Sequence, residues 1–199
     1  MAGRGGALGD VDGTVVSAAF VFFHTPTVVE RWDRARAVMA PARAATAFAG
    51  CLESWAAAHL DDGVDHEELA ELERRLIAAA SPSGAPLFAA WAARPEPEEP
   101  KALALHRMNV LRELRGAAHG AAVLGAGLRP LQALMVRTPM MAGLLGWPEP
   151  HPDPAPYKEA WAAAEGVTNR IVGRAFAALS PAERARLVEL AAAAQGTLR

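Results

Sequence analysis

Apolar residues recur along the chain at spacings of three and four, the period of helices with one buried face. Val15, Ala18, Ala19 and Phe22 form the first such stripe and predict a helix from Asp10 or Asp12 to Phe23. Val28, Val29 and Trp32 form the second, behind Thr25-Pro26, an N-cap followed by a first-turn proline. A third helix opens at Pro41 and runs to His59, with Phe48, Leu52 and Trp55 on its apolar side. Asp61-Asp62-Gly63 is a turn. Asp65 then caps a fourth helix, with Glu68 three residues on and Leu69, Leu72, Leu76 and Ile77 inward. Ser81-Pro82-Ser83-Gly84 ends it.

The second half continues in the same manner. Leu87, Phe88 and Trp91 mark a short helix over 85–93, and 95–100 (PEPEEP) is a rigid acidic loop. A helix over 101–115 follows, which Gly116 kinks or ends, then one over 117–126 and another over 130–145 broken at Pro139. Five prolines fall within 146–156, so that segment is extended and serves as a linker or a lid. A long helix from Tyr157 to Leu179 precedes Ser180-Pro181-Ala182-Glu183, a capping box opening the last helix, which ends at Gly196. Residues before Gly9 look loose. No strand pattern and no repeat is present. The fold expected is all-α, one domain over 1–199, a bundle of about eight to ten helices.

Composition adds limits. Alanine is abundant, and it is the best helix former because it loses no side-chain entropy. The formal net charge is −2. A broad phosphate-binding surface needs excess Lys and Arg, so nucleic acid is not the partner that charge suggests, although a small basic face is compatible with it. Cys51 is the one cysteine, which excludes an intrachain disulfide and fits a reducing compartment. In its apolar helical surroundings it is expected to be a buried, inert thiol. The run Val15–Phe23 lacks a basic flank, and no stretch approaches 18 apolar residues free of charge or proline. A cytoplasmic location, with neither a leader nor a membrane span, is the expectation.

Candidate chemistry is sparse. There is no His-Glu-x-x-His, no CxxC, no phosphate-binding GxxxxGK[ST] and no G-x-S-x-G. No metal site is expected: Met135, Met140 and Met141 lack the ladder that copper(I) would want, and core packing accounts for them. No cofactor is indicated. On the wheel of the 101–115 helix, Leu103, Val110, Leu111 and Leu114 share an arc with Arg107, which therefore needs a partner or a ligand. Glu113, Arg115 and His119 converge near one helix junction, as a structural ion-pair network or as a catalytic group with His119 as base. His24, with Phe23 beside it, either lines a cavity between the first helices or is a capping or satisfied interior histidine, and Trp147 beside the prolines is a candidate to close an apolar pocket. His59, His66 and His151 lie near loops or helix ends and are expected to face solvent. The tryptophans are core residues first.

Three blocks carry a resemblance: AGRGGALGDV (2–11) running into VVSAAFVFFHTP (15–26), GAPLFAAWAARPEPEEP (84–100), and LRELRGAAHGAAVLGAGLRPLQAL (111–134). They resemble an actinobacterial family of helical proteins described only as helix-turn-helix proteins. The resemblance covers 2–134 well and the C-terminal helices loosely. It implies a DNA-binding regulator. Relative to the family's pattern the chain is N-terminally short. It carries Leu114 where the family favours His and Ala117 where it favours Asp, and at 146–174 it has a proline-rich stretch in place of the winged-helix segment. Weighed together, the residues favour a non-catalytic module for a small hydrophobic or aromatic molecule or a partner protein. An enzyme using the His/Glu/Arg group comes second and a DNA-binding regulator third, and whether any reaction is catalysed stays open. A homodimer also stays open, since apolar faces in so Ala-rich a chain can bury against a second copy.

Overall fold

The computed structural model describes residues 1–196, and among them the regular elements are all helical. Their order is α1 (Ala2–Gly5), a 3₁₀ turn (Gly6–Leu8), α2 (Gly13–Phe20), α3 (Thr25–Val38), α4 (Pro41–His59), α5 (His66–Ala79), α6 (Pro86–Ala92), α7 (Pro100–Gly125), α8 (Pro130–Arg137), α9 (Lys158–Phe176) and α10 (Pro181–Gly196). The all-α expectation holds. Prolines open α4, α6, α7, α8 and α10, where a missing N–H costs nothing. Asp65 accepts from the Glu68 amide at 2.9 Å, the expected cap of α5.

α7 is the central strut. It packs on α4, α5, α6 and α9. One core joins α2, α3, α6 and α7 through Val16, Phe20, Trp32, Trp91 and Val110. A second joins α5, α7, α9 and α10 through Leu72, Leu76, Ala104, Phe176 and Leu187, with Leu179 from the α9–α10 connection. A smaller third lies between the end of α7, α8 and α9.

Several expectations fail for identifiable reasons. Gly116 does not end the helix: α7 is continuous from Pro100 to Gly125. One glycine costs a helix only about 1 kcal/mol, which packing on four neighbours outweighs. The first residues are not loose. Gly6 lies so close to α4 that a Cβ on it would stand 2.1 Å from the Pro41 carbonyl, and one on Gly3 would stand 2.6 Å from Phe48. These glycines allow close approach rather than mobility. The first stripe is rotated: Val15 is 49% exposed, while Val16, Ser17 and Phe20 face inward. α2 ends at Phe20, three residues early. The 130–145 helix stops at Arg137. Cys51 is exposed, not buried. His66 is buried, with Nε2 on the Asp61 carbonyl at 2.9 Å. Trp55 stacks on His59 at the surface rather than in the core.

Candidate functional site

A cavity of about 1010 Å³ opens between α2, the α2–α3 turn, α7, the α8 region and α9. Its walls are apolar where α2 and the turn supply Phe20, Phe22 and Phe23, and where Leu134 and Trp161 close the far side. Its charge comes from Arg4, Arg115, Arg137 and Glu165, with His119 among them.

Each charged group is held differently. Arg4 gives Nε and Nη2 to the two oxygens of Glu113, both at 2.7 Å, and its guanidinium lies 4.5 Å above the Phe20 ring. Such a two-point pair fixes direction as well as charge. Arg112 shares Glu113 at 2.8 Å. Burial alone would push the Glu113 carboxyl up; the two guanidiniums reverse that and hold it below the usual carboxylate range. On the opposite wall Arg115 donates to Glu165 at 2.9 Å, and Nδ1 of His119 stands 3.2 Å from the same carboxylate. Arg137 forms no ion pair among the described residues and is exposed.

The tautomer of His119 follows from its neighbours. The Thr168 hydroxyl donates to the Ala164 carbonyl at 2.8 Å, so its oxygen has no proton left for His119. Nδ1, 3.1 Å from that oxygen, must carry the hydrogen. Nε2 is then the basic nitrogen. Burial lowers the His119 pKa, partly offset by Glu165, so the ring is neutral at neutral pH. Phe22 stacks on it, with centroids 5.3 Å apart.

The sequence-derived site residues therefore divide. Arg115, His119 and Phe23 line the cavity. Glu113 does not join Arg115 and His119; it faces Arg4, behind the cavity wall. Arg107 is buried elsewhere, paired with Glu96 at 2.8 and 2.5 Å and with the Ala70 carbonyl at 2.8 Å. The partner its wheel position demanded is the acidic loop. His24 and Trp147 pack on each other, 5.0 Å between centroids, and Trp147 donates to the Phe22 carbonyl at 2.8 Å. The proline segment thus begins as a brace on the α2–α3 turn. Arg4, Arg137 and Glu165 escaped the sequence reading. Arg4 sat among glycines taken for a loose end, and Glu165 is a helical acid that nothing in the sequence distinguishes from a solvated one.

A second feature adjoins the cavity. α2 and α3 are joined by four residues, Val21 to His24. They are locked by a Ser17–Thr25 hydroxyl bond of 2.8 Å, by buried Val28 and Trp32, and by the Trp32 indole on the Val11 carbonyl at 2.7 Å. A Cβ on Gly13 would stand 2.8 Å from the Val29 Cα, so the two helices nearly touch. Outward, α3 presents Glu30, Arg31, Asp33 and Arg34. From Glu30 to Arg43 the chain holds four arginines and two carboxylates, Glu30 and Asp33, a local +2 against −2 for the whole chain; Arg34 lies 3.6 Å from Glu30 and Arg36 pairs with Asp10 at 2.7 Å.

Among the described residues no group of three or more His, Cys, Asp or Glu is placed to hold a metal ion, and no helix is long and apolar enough to cross a membrane. The molecule is an all-helical protein with a tightly joined helix pair beside an arginine-rich cavity. Residues 1–165 match the helix-turn-helix family, and the chain belongs to it. No curated protein and no solved structure matches the chain. Membership overturns two expectations. The sequence favoured a non-catalytic module for a small hydrophobic molecule or protein partner, and it set nucleic acid aside on net charge. The family points to DNA binding instead. Net charge alone does not set nucleic acid aside, because it averages over the chain, while contact with phosphates needs only one locally basic face.

Proposed function

We propose that the protein is a DNA-binding regulator whose reading unit is α2–turn–α3. The observation that carries this is membership of the helix-turn-helix family over residues 1–165, a range that contains the pair. The geometry supports it. A short turn and a locked first helix are what such a unit uses to hold a second helix rigidly toward the major groove. α3 has 14 residues and keeps one face free of the core. Arg31 and Arg34 lie three apart on that face, and exposed Arg43 follows at the start of α4, within reach of a phosphate backbone. The acidic residues Glu30 and Asp33 on the same helix repel phosphate, and so restrict how α3 can approach a duplex.

Fluorescence polarisation with mixed-sequence labelled duplexes at low salt tests this. The wild-type chain is expected to bind, and the double variant Arg31→Ala/Arg34→Ala to bind at least about tenfold more weakly. Its log–log salt dependence should be shallower by about 2, one per lost phosphate contact. No binding at low salt, or equal binding by the double variant, removes this reading.

A further inference from the structure

We propose that the cavity between α2, α7, α8 and α9 is an effector site for a small organic anion, and that the α2–α3 turn passes its occupancy to α3. The second half of this rests on the DNA-binding reading; the first does not.

Charge selects the ligand's sign. Three arginines face the cavity against one carboxylate, Glu165. Behind them Glu113 serves both Arg4 and Arg112, so that group keeps a net positive charge. Arg115 and Glu165 cancel, and Arg137 has no counter-ion among the described residues. Counting Arg4, Arg112, Arg115 and Arg137 against Glu113 and Glu165 leaves two positive charges, with His119 neutral. A carboxylate, sulfonate or phosphate supplies what is missing, and guanidinium forks fit those groups.

Shape selects the rest. Inorganic anions alone would leave the half-buried Phe22, Phe23 and Trp161 facing water across about 1010 Å³, the upper range of ordinary ligand cavities. An organic body beside the anionic group covers them. Trp161 also has an indole N–H without an acceptor among the described residues, which an added acceptor nearby would relieve after a small ring movement.

The route to α3 is short. Phe22 and Phe23 are cavity wall and helix-pair turn at once. Val21, just before them, has φ of 51° and ψ of −61°, and the Phe22 amide donates to the Phe20 carbonyl at 2.6 Å: a γ-turn of the strained kind, which a β-branched residue avoids. Strain of that kind persists only where packing enforces it. Gly120 of α7 leaves the room that the Val21 side chain needs in that conformation: a Cβ there would lie 2.8 Å from Val21 Cγ2. Trp147 enforces the conformation through the Phe22 carbonyl. A ligand pressing on Phe22 therefore acts on a turn already held off its preferred conformation, and the turn sets the angle of α3.

The probes are 8-anilinonaphthalene-1-sulfonate and its uncharged analogue N-phenyl-1-naphthylamine, titrated by fluorescence. The sulfonate is expected to bind at least about tenfold more tightly, the effect of one good charge-assisted contact. Arg137→Ala, which removes an exposed side chain without a partner, should abolish most of that preference while leaving the circular dichroism unchanged. Equal binding of both probes, or sulfonate binding untouched by Arg137→Ala and Arg115→Gln, overturns the site. The same sulfonate is then added to the DNA titration, where a shift of threefold or more in DNA affinity, absent in Arg137→Ala, is expected. Arginine-dependent binding without that shift keeps the anion site and overturns the coupling. Absence of DNA binding altogether overturns the reading unit, and the fluorescence result still decides the site.

Discussion

Glu113 on α7 and Glu73 on α5 are both closed off from solvent, at 1% and 0% exposure, and their surroundings could hardly differ more. Glu113 receives three hydrogen bonds from Arg4 and Arg112 and stays charged below the usual carboxylate range. Neither oxygen of Glu73 has a partner among the described residues. Burial pushes its carboxyl up to about 9, with Arg107 too far away to do more than temper the rise, so Glu73 is protonated at neutral pH. The two sides of α7 therefore solve one problem in opposite ways. On the α2 side the fold keeps ionised groups inside by pairing them, and it places a cavity among them. On the α5 and α10 side, among Leu76, Met108 and Leu187, it neutralises the one acid with a proton. Organised charge marks the side where function is expected.

The largest effect comes from breaking the paired side. Arg4→Ala leaves Glu113 enclosed with only Arg112, whose side chain is 57% exposed. Losing one partner of a buried ion pair costs about 3 kcal/mol or more. Urea unfolding should show this loss at pH 7. The pH dependence carries a second signature. Because the folded Glu113 pKa is depressed, its stabilisation is present above the ordinary carboxylate value and is lost as pH falls through the lower, folded one. Arg4→Ala should flatten that acid limb. A variant within about 0.5 kcal/mol of wild type would mean that the pair is incidental.

Arg4 also shows where the sequence stops informing. Helix periodicity and prolines located most elements to within two or three residues, because apolar spacing and caps act locally. Arg107 was legible as a charge needing a partner, since its wheel position alone required one. The Arg4–Glu113 pair spans 109 residues and depends on Gly3 and Gly6 letting α1 lie flat on α4, which no local pattern encodes. Val16 rather than Val15 faces inward because the Ser17–Thr25 bond and Gly13 set the rotation of α2, again a tertiary choice. Glu73 stands between Leu72 and Leu76 of the buried stripe, where no local pattern separates a buried acid from a solvated one.

The unpaired side predicts a gain. Glu73→Leu fills a similar volume and removes an acid that must hold a proton to stay inside. With a folded value near 9 and an ordinary value of 4.5 in the unfolded chain, the folded state binds more protons across that interval. Wild-type stability then falls as pH rises from about 4.5 to 9. At pH 7 the accumulated penalty is about 3 to 4 kcal/mol, using about 1.4 kcal/mol per unit. The variant should be more stable than wild type by that order at pH 7 and by almost nothing near pH 4. A destabilised variant, or a gain independent of pH, would show that Glu73 has a partner in solution and that the contrast with Glu113 is false.

The smallest effect needs the Glu73→Leu background, because Glu73 otherwise dominates the neutral range with the opposite sign. His106 and His119 both have pKa values lowered by burial, offset in part by Glu96 and Glu165 respectively. Each stays neutral in the folded chain at a pH where the unfolded chain takes up a proton. Stability should therefore be full above the ordinary histidine value near 6.5 and decline as pH falls from there toward the lower folded values. Thermal melts of Glu73→Leu between pH 7.5 and 5.5 should show this decline. Adding His119→Gln should remove the part that belongs to the cavity and leave the part from His106. A flat profile across that range would mean that the neighbouring carboxylates compensate the burial of both imidazoles in full. His119 would then take up its proton at the ordinary histidine value, and below that pH the cavity would hold three positive charges rather than two.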